Sequence, residues 1–274
     1  MNSYNDLHAH YSTYNNFSIG SISPMKKIPL LGITITTGSY KDFVQNIIQF
    51  AGTGISDYAC LANVHMLIEA HFDRKFADIV SSARIIAPDG KPLAWALGIL
   101  YGIRQPRVAG MDLFPDLLIE ASAKQLPVYF YGGTVSLLDK TVQHLKTKYP
   151  HLNIAGSYSP PFRKLSSQED DRIVQQINNS GAHLVFVVLG CPKQEKWMAS
   201  MKGRVNALMV GIGGALPVLI GVHKRAPLWM QYAGLEWMFR LTQEPTRLFR
   251  RYSITNSLFI YILIKEYIKN KFLK

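Results

Sequence analysis

The stretch His183-Leu-Val-Phe-Val-Val-Leu-Gly-Cys-Pro-Lys-Gln-Glu195 carries the decision about the fold. After His183 its apolar run has no polar alternation. A strand with one wet face alternates, whereas a strand covered on both faces does not, and such strands belong to parallel sheets held between helices. Gly190 ends the run. Pro192 near a helix start and an acid in the first turn then suit the N-terminal end of a helix. The unit is strand, glycine turn, helix.

The same unit recurs on either side. Strands are expected at Leu30–Ile35, Tyr58–Ala62, Arg84–Ala87, Pro127–Tyr131, Asn153–Ser157, His183–Leu189 and Ala207–Ile212. Helices are expected between them at Tyr40–Phe50, Met66–Ala77, Pro92–Leu100, Leu113–Lys124, Val135–Tyr149, Ser167–Asn178 and Lys193–Met201. This alternation predicts an α/β domain with a mostly parallel sheet. Ligands of such sheets bind beyond the carboxyl ends of the strands. Five polar or glycine-bearing stretches fall on that edge: Asn63, Pro88-Asp89-Gly90, Gly132-Gly133, Gly190 through Glu195, and Gly211-Ile212-Gly213-Gly214. Five on one edge make a crevice.

The 274 residues are 48% hydrophobic and carry 30 Lys and Arg against 18 Asp and Glu, a net charge of +12. That balance favours an anionic partner: nucleic acid, an acidic membrane surface or a phosphorylated substrate. Cys60 and Cys191 form neither a disulfide framework nor a metal-binding pair, and read as buried thiols of a reducing compartment. Residues 1–27 lack the apolar core of a signal peptide and are expected to be a disordered arm. From Gly221 the strand signal ends. Ten of the 30 basic residues fall there against three acids, +7 of the +12, set among Trp, Tyr and Phe. A basic, aromatic helical appendage over residues 221–274 suits the interface of an anionic bilayer. The longest apolar run near its end, Leu258 to Ile264, is too short to span one.

Each local motif has two readings. Pro88-Asp89-Gly90 is a ready-made turn, or it places a carboxylate where it can take a proton from an attacking hydroxyl. Gly132-Gly133 admits a phosphate at a helix N-terminus, or simply a left-handed turn. Gly213 and Gly214 sit in a ligand-facing glycine loop that lacks the Lys-Ser/Thr of a P-loop. Gln194 and Glu195 begin a helix. Arg107 is a surface charge or a diphosphate clamp.

Taken together, NVHMLIEA (63–70), ADIV with APDG (77–80 and 87–90), RVAGMDL (107–113), VYFYGG (128–133), GCPKQEKW (190–197), GIGGA (211–215) and the long string KRAPLWMQYAGLEWMFRLTQEPTRLFRRY (224–252) resemble the WecG/TagA/CpsF family of bacterial glycosyltransferases. The resemblance implies a Rossmann-like domain over residues 28–220, no metal or other cofactor, and an appendage that docks on the inner face of the plasma membrane. It implies inverting transfer from a UDP-sugar to a polyprenyl-diphosphate-linked sugar in cell-surface or exopolysaccharide synthesis. By the same resemblance Asp89 is the catalytic base, Asn63 and Gln194 are active-site polar groups, and Arg107 engages the phosphate-bearing substrate. Arg240, Arg247, Arg250 and Arg251 reach lipid diphosphate and membrane. Two positions depart from the pattern: Leu61 stands where Thr is usual, and Pro217 where Asp is usual. They motivate an alternative, a non-catalytic nucleotide-binding relative on the membrane. A nucleic-acid partner is not expected, because the bases are interleaved with bulky apolar residues and no nucleic-acid motif is present. Homo-oligomerisation and the identity of the sugar are left open.

Overall fold

The computed structural model describes residues 25–272. The expected disorder of residues 1–24 therefore lies outside the described residues, whereas Lys26 and Lys27 already belong to a strand. The centre is a six-stranded parallel sheet of β3 (Asp57–Ala62), β4 (Ile85–Pro88), β5 (Val128–Gly132), β6 (Ile154–Tyr158), β7 (Leu184–Val188) and β8 (Leu208–Gly211). Its order is β4-β3-β8-β7-β5-β6, every neighbouring pair parallel. This is the α/β, Rossmann-like architecture expected from the alternation.

The central strand β7 is buried at all five positions. Its period of two divides the core into two layers. Phe186 faces one side, pairs in register with Phe130 of β5 and stacks on it at 5.6 Å, while Phe114 closes edge-on at 4.9 Å. On the other side Tyr131 stacks on Trp197 at 3.9 Å. Complete burial of each such ring contributes about 2–3 kcal/mol, so both layers have large apolar payloads. A sheet loaded on both faces needs helices on both.

Those helices are α1 (Tyr40–Gly52), α2 (Val64–Phe72), α3 (Arg74–Ser81), α4 (Lys91–Tyr101), α5 (Gly110–Ala123), α6 (Val135–Lys148), α7 (Ser167–Asn179), α8 (Lys193–Met201) and the short α9 (Ala215–Leu219). The expected helix Met66–Ala77 is in fact two, α2 and α3. Asp73 sits between them in an extended conformation (φ −120°, ψ 97°), and its carboxylate accepts from Phe76 N–H at 3.1 Å. A short acid that can cap a new N-terminus competes with continuing the old helix.

The expected strand Leu30–Ile35 also needs correction. It is an antiparallel hairpin of β1 (Lys26–Leu30) and β2 (Ile33–Thr37), turned at Leu31 and Gly32, both with positive φ (50° and 105°). Thr36 of β2 accepts the Ile86 N–H at 2.9 Å, so the hairpin lies against edge strand β4. Covering an edge protects its unpaired backbone groups from other chains.

The C-terminal segment forms α10 (Leu228–Ala233), α11 (Glu236–Gln243) and α12 (Pro245–Phe272). α12 packs along α2 and α4 and buries Leu248, Thr255, Phe259 and Ile262. It roofs the carboxyl edge of the sheet. Among the described residues, no helix is long and apolar enough to cross a membrane.

Candidate active site

Beyond the carboxyl ends of β3, β4, β7 and β8, under α11 and α12, lies a cleft of about 240 Å³. Asp89 follows β4 at its floor. Its N–H donates to Ala62 O at 2.7 Å, and its Oδ1 accepts from Gly110 N–H, the first residue of α5, at 3.1 Å. Burial pushes the Asp89 carboxyl above the ordinary range. The Gly110 N–H, Arg240, the Asn63 side chain and Arg107 pull it back. A buried carboxyl with a raised affinity for a proton is suited to taking one from a substrate.

Asn63 has two roles set by its place after β3. Its Oδ1 caps α2 by accepting Met66 N–H at 3.1 Å, and its side chain also hydrogen-bonds Asp89. Gln194, in the first turn of α8, lies against Gly211 and Gly213. A Cβ at either glycine would fall 2.9 Å or 3.3 Å from its amide group. Gly213 and Gly214 line the cleft, and a side chain on Gly214 would collide with Arg240.

Three of the four expected appendage arginines, Arg240, Arg247 and Arg251, line the same cleft, whereas the exposed Arg250 does not. Arg247 is held by both oxygens of Glu244. Arg251 is partly buried, its Nε has no partner among the described residues, and burial lowers its pKa. Three guanidinium groups lining one cleft form an arrangement that suits an anionic ligand.

The remaining expected residues sit elsewhere. Gly132 and Gly133 lie outside the cleft lining. Gly132 is needed by packing: its φ is 105°, and a Cβ there would fall 2.6 Å from Val188 O. Arg107 is also outside the lining, within a half-buried ionic clasp. Its Nη2 meets Asp112 at 2.9 Å and Gln231 at 3.2 Å, and its Nη1 pairs with Glu236. Arg225 joins the clasp through Asp112 and Gln231. These contacts tie α11 to the start of α5, whose first N–H holds Asp89.

Several cleft residues had no local signal in the sequence. Glu236 lines it, with burial raising its carboxyl and Arg107 opposing that rise. His65 lines it as well, its pKa pushed down to about 4 first by burial and then by Arg251. A neutral imidazole beside a guanidinium adds no further positive charge. Leu61, one of the two departures, puts an apolar side chain into the lining, close against Gly110; Pro217, the other, lies in α9 outside it. Among the described residues no three His, Cys, Asp or Glu side chains gather as a metal site.

The model of the glycosyl transferase WecG/TagA/CpsF family matches residues 28–272. An N-acetylglucosaminyldiphosphoundecaprenol N-acetyl-beta-D-mannosaminyltransferase of Bacillus subtilis (strain 168) is 33% identical over 230 residues, covering 83% of this chain and 86% of that protein. One of the same name from Bacillus spizizenii (strain ATCC 23059 / NRRL B-14472 / W23) is 35% identical over 194 residues, covering 70% and 74%. The chain therefore belongs to the WecG/TagA/CpsF family of glycosyl transferases.

Proposed function

We propose that this protein transfers a hexose, an N-acetylhexosamine or its uronic acid from a UDP-sugar to a polyprenyl-diphosphate-linked sugar, with inversion at the transferred carbon. The observation that carries the reading is the placement of Asp89 at the floor of a cleft walled by Arg240, Arg247 and Arg251. Asp89 takes the proton of the acceptor hydroxyl, whose oxygen attacks C1 of the donor sugar. The C1–O bond to the diphosphate breaks, and UDP leaves with the bonding pair. Charge develops on the departing diphosphate, where preorganised guanidinium groups stabilise it most. In this account the arginines supply the positive charge on the leaving group, and transfer proceeds without a divalent cation; activity retained in EDTA supports that step, and activity lost there and restored by a metal contradicts it.

The relatives' shared activity makes N-acetylmannosamine the first donor sugar to test. Leu61 removes a hydroxyl from the lining and leaves an apolar wall, so the donor's contacts there differ from those a Thr would make. Incubation with UDP-N-acetylmannosamine, UDP-glucose and their uronic acids, each with a short-chain polyprenyl-diphosphate sugar, tests the proposal by the mass gained on the acceptor. No gain with any donor, together with tight UDP binding, favours the non-catalytic alternative that Leu61 and Pro217 motivate.

Work at the inner face of the membrane fits the surface around the cleft. Leu228, Trp229 and Tyr232 of α10, Trp95 and Ile99 of α4, and Ile260, Tyr261, Ile264 and Ile268 of α12 are all exposed. Lys265, Lys269 and Lys271 stand among them. Aromatic and aliphatic groups beside lysines suit the headgroup layer of an anionic bilayer. Docked there, the cleft is supplied with a lipid-held acceptor without any spanning segment.

A further inference from the structure

The first turn of α8 holds a buried polar pair that the transfer mechanism does not use. Glu195 is fully buried, and Gln194 is 5% exposed. Adjacent residues of a helix normally point apart. Here they meet: Gln194 Nε2 donates to Glu195 Oε1 at 2.7 Å. The Cys191 thiol of the preceding loop lies beside the Glu195 carboxyl, whose Oε2 has no hydrogen-bond partner among the described residues. With the amide nitrogen taken, Gln194 Oε1 is left over, buried and without a partner among the described residues. It faces Gly213, 3.3 Å from where that residue's Cβ would lie, on the wall of the cleft. A buried acceptor left without a donor in the free protein is a group that a ligand can satisfy.

We propose that Glu195 is a positioning residue: by accepting from Gln194 Nε2 it fixes the amide so that Gln194 Oε1 faces the cleft as an acceptor and selects a substrate bearing a hydroxyl or amide N–H at that point. Without Glu195 the amide can rotate by half a turn and present N–H groups instead, which repel the same donor. The recognised group belongs to the transferred sugar or to the acceptor sugar. Both carry such donors, and separate constants for the two substrates distinguish them. The inference rests on the proposed reading of the cleft as the substrate site.

The test uses Q194M, E195M, E195Q and the double variant Q194M/E195M, with KM and kcat measured for each substrate in turn. Q194M is expected to raise one KM about tenfold, the effect of one lost hydrogen bond. E195M should raise the same KM by a similar factor, and the double variant should be no worse than Q194M. E195Q keeps an acceptor for Gln194 and should restore that KM toward the wild-type value. A merely structural Glu195 would lower thermal stability without moving that KM. If Q194M raises a KM and E195M does not, or if the two effects multiply, the positioning role is overturned while the site reading stands. If Q194M changes neither KM nor kcat, the reading of the cleft at Gln194 falls, and the inference with it. Should E195M not fold, E195D provides the same comparison by withdrawing the carboxyl one methylene from Gln194.

Discussion

Replacing Arg107 with Met removes the guanidinium that joins Glu236, Asp112 and Gln231 while keeping an unbranched apolar stem. The Arg107 and Glu236 side chains are 18% and 17% exposed, so both charges are largely out of water. Breaking a fully buried pair costs about 3–5 kcal/mol, because the other charge is left uncompensated. Here Arg225 still reaches Asp112 and lies near Glu236, so R107M should cost less. A loss of roughly 2–3 kcal/mol corresponds to a fall in Tm of about 5–9 °C in a domain of this size. E236M should cost a similar amount. The double variant R107M/E236M removes both charges together, and replacing a buried ion pair with apolar side chains is often close to neutral. It should cost less than the sum of the two singles, by a coupling of about 1–3 kcal/mol. Thermal and urea unfolding of the four proteins measure this cycle. A double variant as unstable as the sum of the singles would refute the clasp and the tie it makes between α11 and α5.

Gly132→Ala should destabilise the fold by about 3 kcal/mol, combining left-handed strain with the clash against Val188 O; a variant as stable as the wild type in urea unfolding contradicts the packing role. For Glu195, burial raises the folded carboxyl above its ordinary 4.5. The folded state therefore binds its proton more tightly than the unfolded chain does. The resulting stability is complete below 4.5 and is lost as pH rises through the folded value. E195Q does not titrate, so its stability relative to wild type should increase from acidic to neutral pH, and a difference that is constant or shrinks over that range is incompatible with the shift. Paired replacement of Trp229 and Tyr232 by Gln should weaken binding to liposomes containing anionic lipid with no change in Tm; unchanged sedimentation with liposomes removes α10 from the docking face.

The apolar run of β7 was legible because a strand covered on both faces leaves its mark in consecutive residues. So was the edge where Asn63, Asp89, Gln194 and Gly213 converge, since each lies in the loop or first helical turn after a strand. Two local features were hidden by longer apolar patterns. Gly32 interrupts Leu30–Ile35 with one residue that hydrophobic periodicity ignores, yet its left-handed backbone makes the hairpin. Asp73 has the same effect on Met66–Ala77 by capping α3. The clasp was out of reach for another reason. Arg107 and Glu236 are 129 positions apart, and nothing near either residue specifies the other. Gly132 shows the converse: the glycine was conspicuous, but what requires it is the Val188 carbonyl of a neighbouring strand.

The most direct test of the central claim is the transfer rate of Asp89→Asn, measured by mass on the lipid-linked acceptor under saturating donor. Asn fills the same space and can still accept from Gly110 N–H, but it cannot take up the hydroxyl proton. A positioned general base contributes about 10²–10⁴-fold, and the account predicts a loss of that size in kcat with the UDP affinity unchanged. A D89N protein that transfers sugar at the wild-type rate would contradict it.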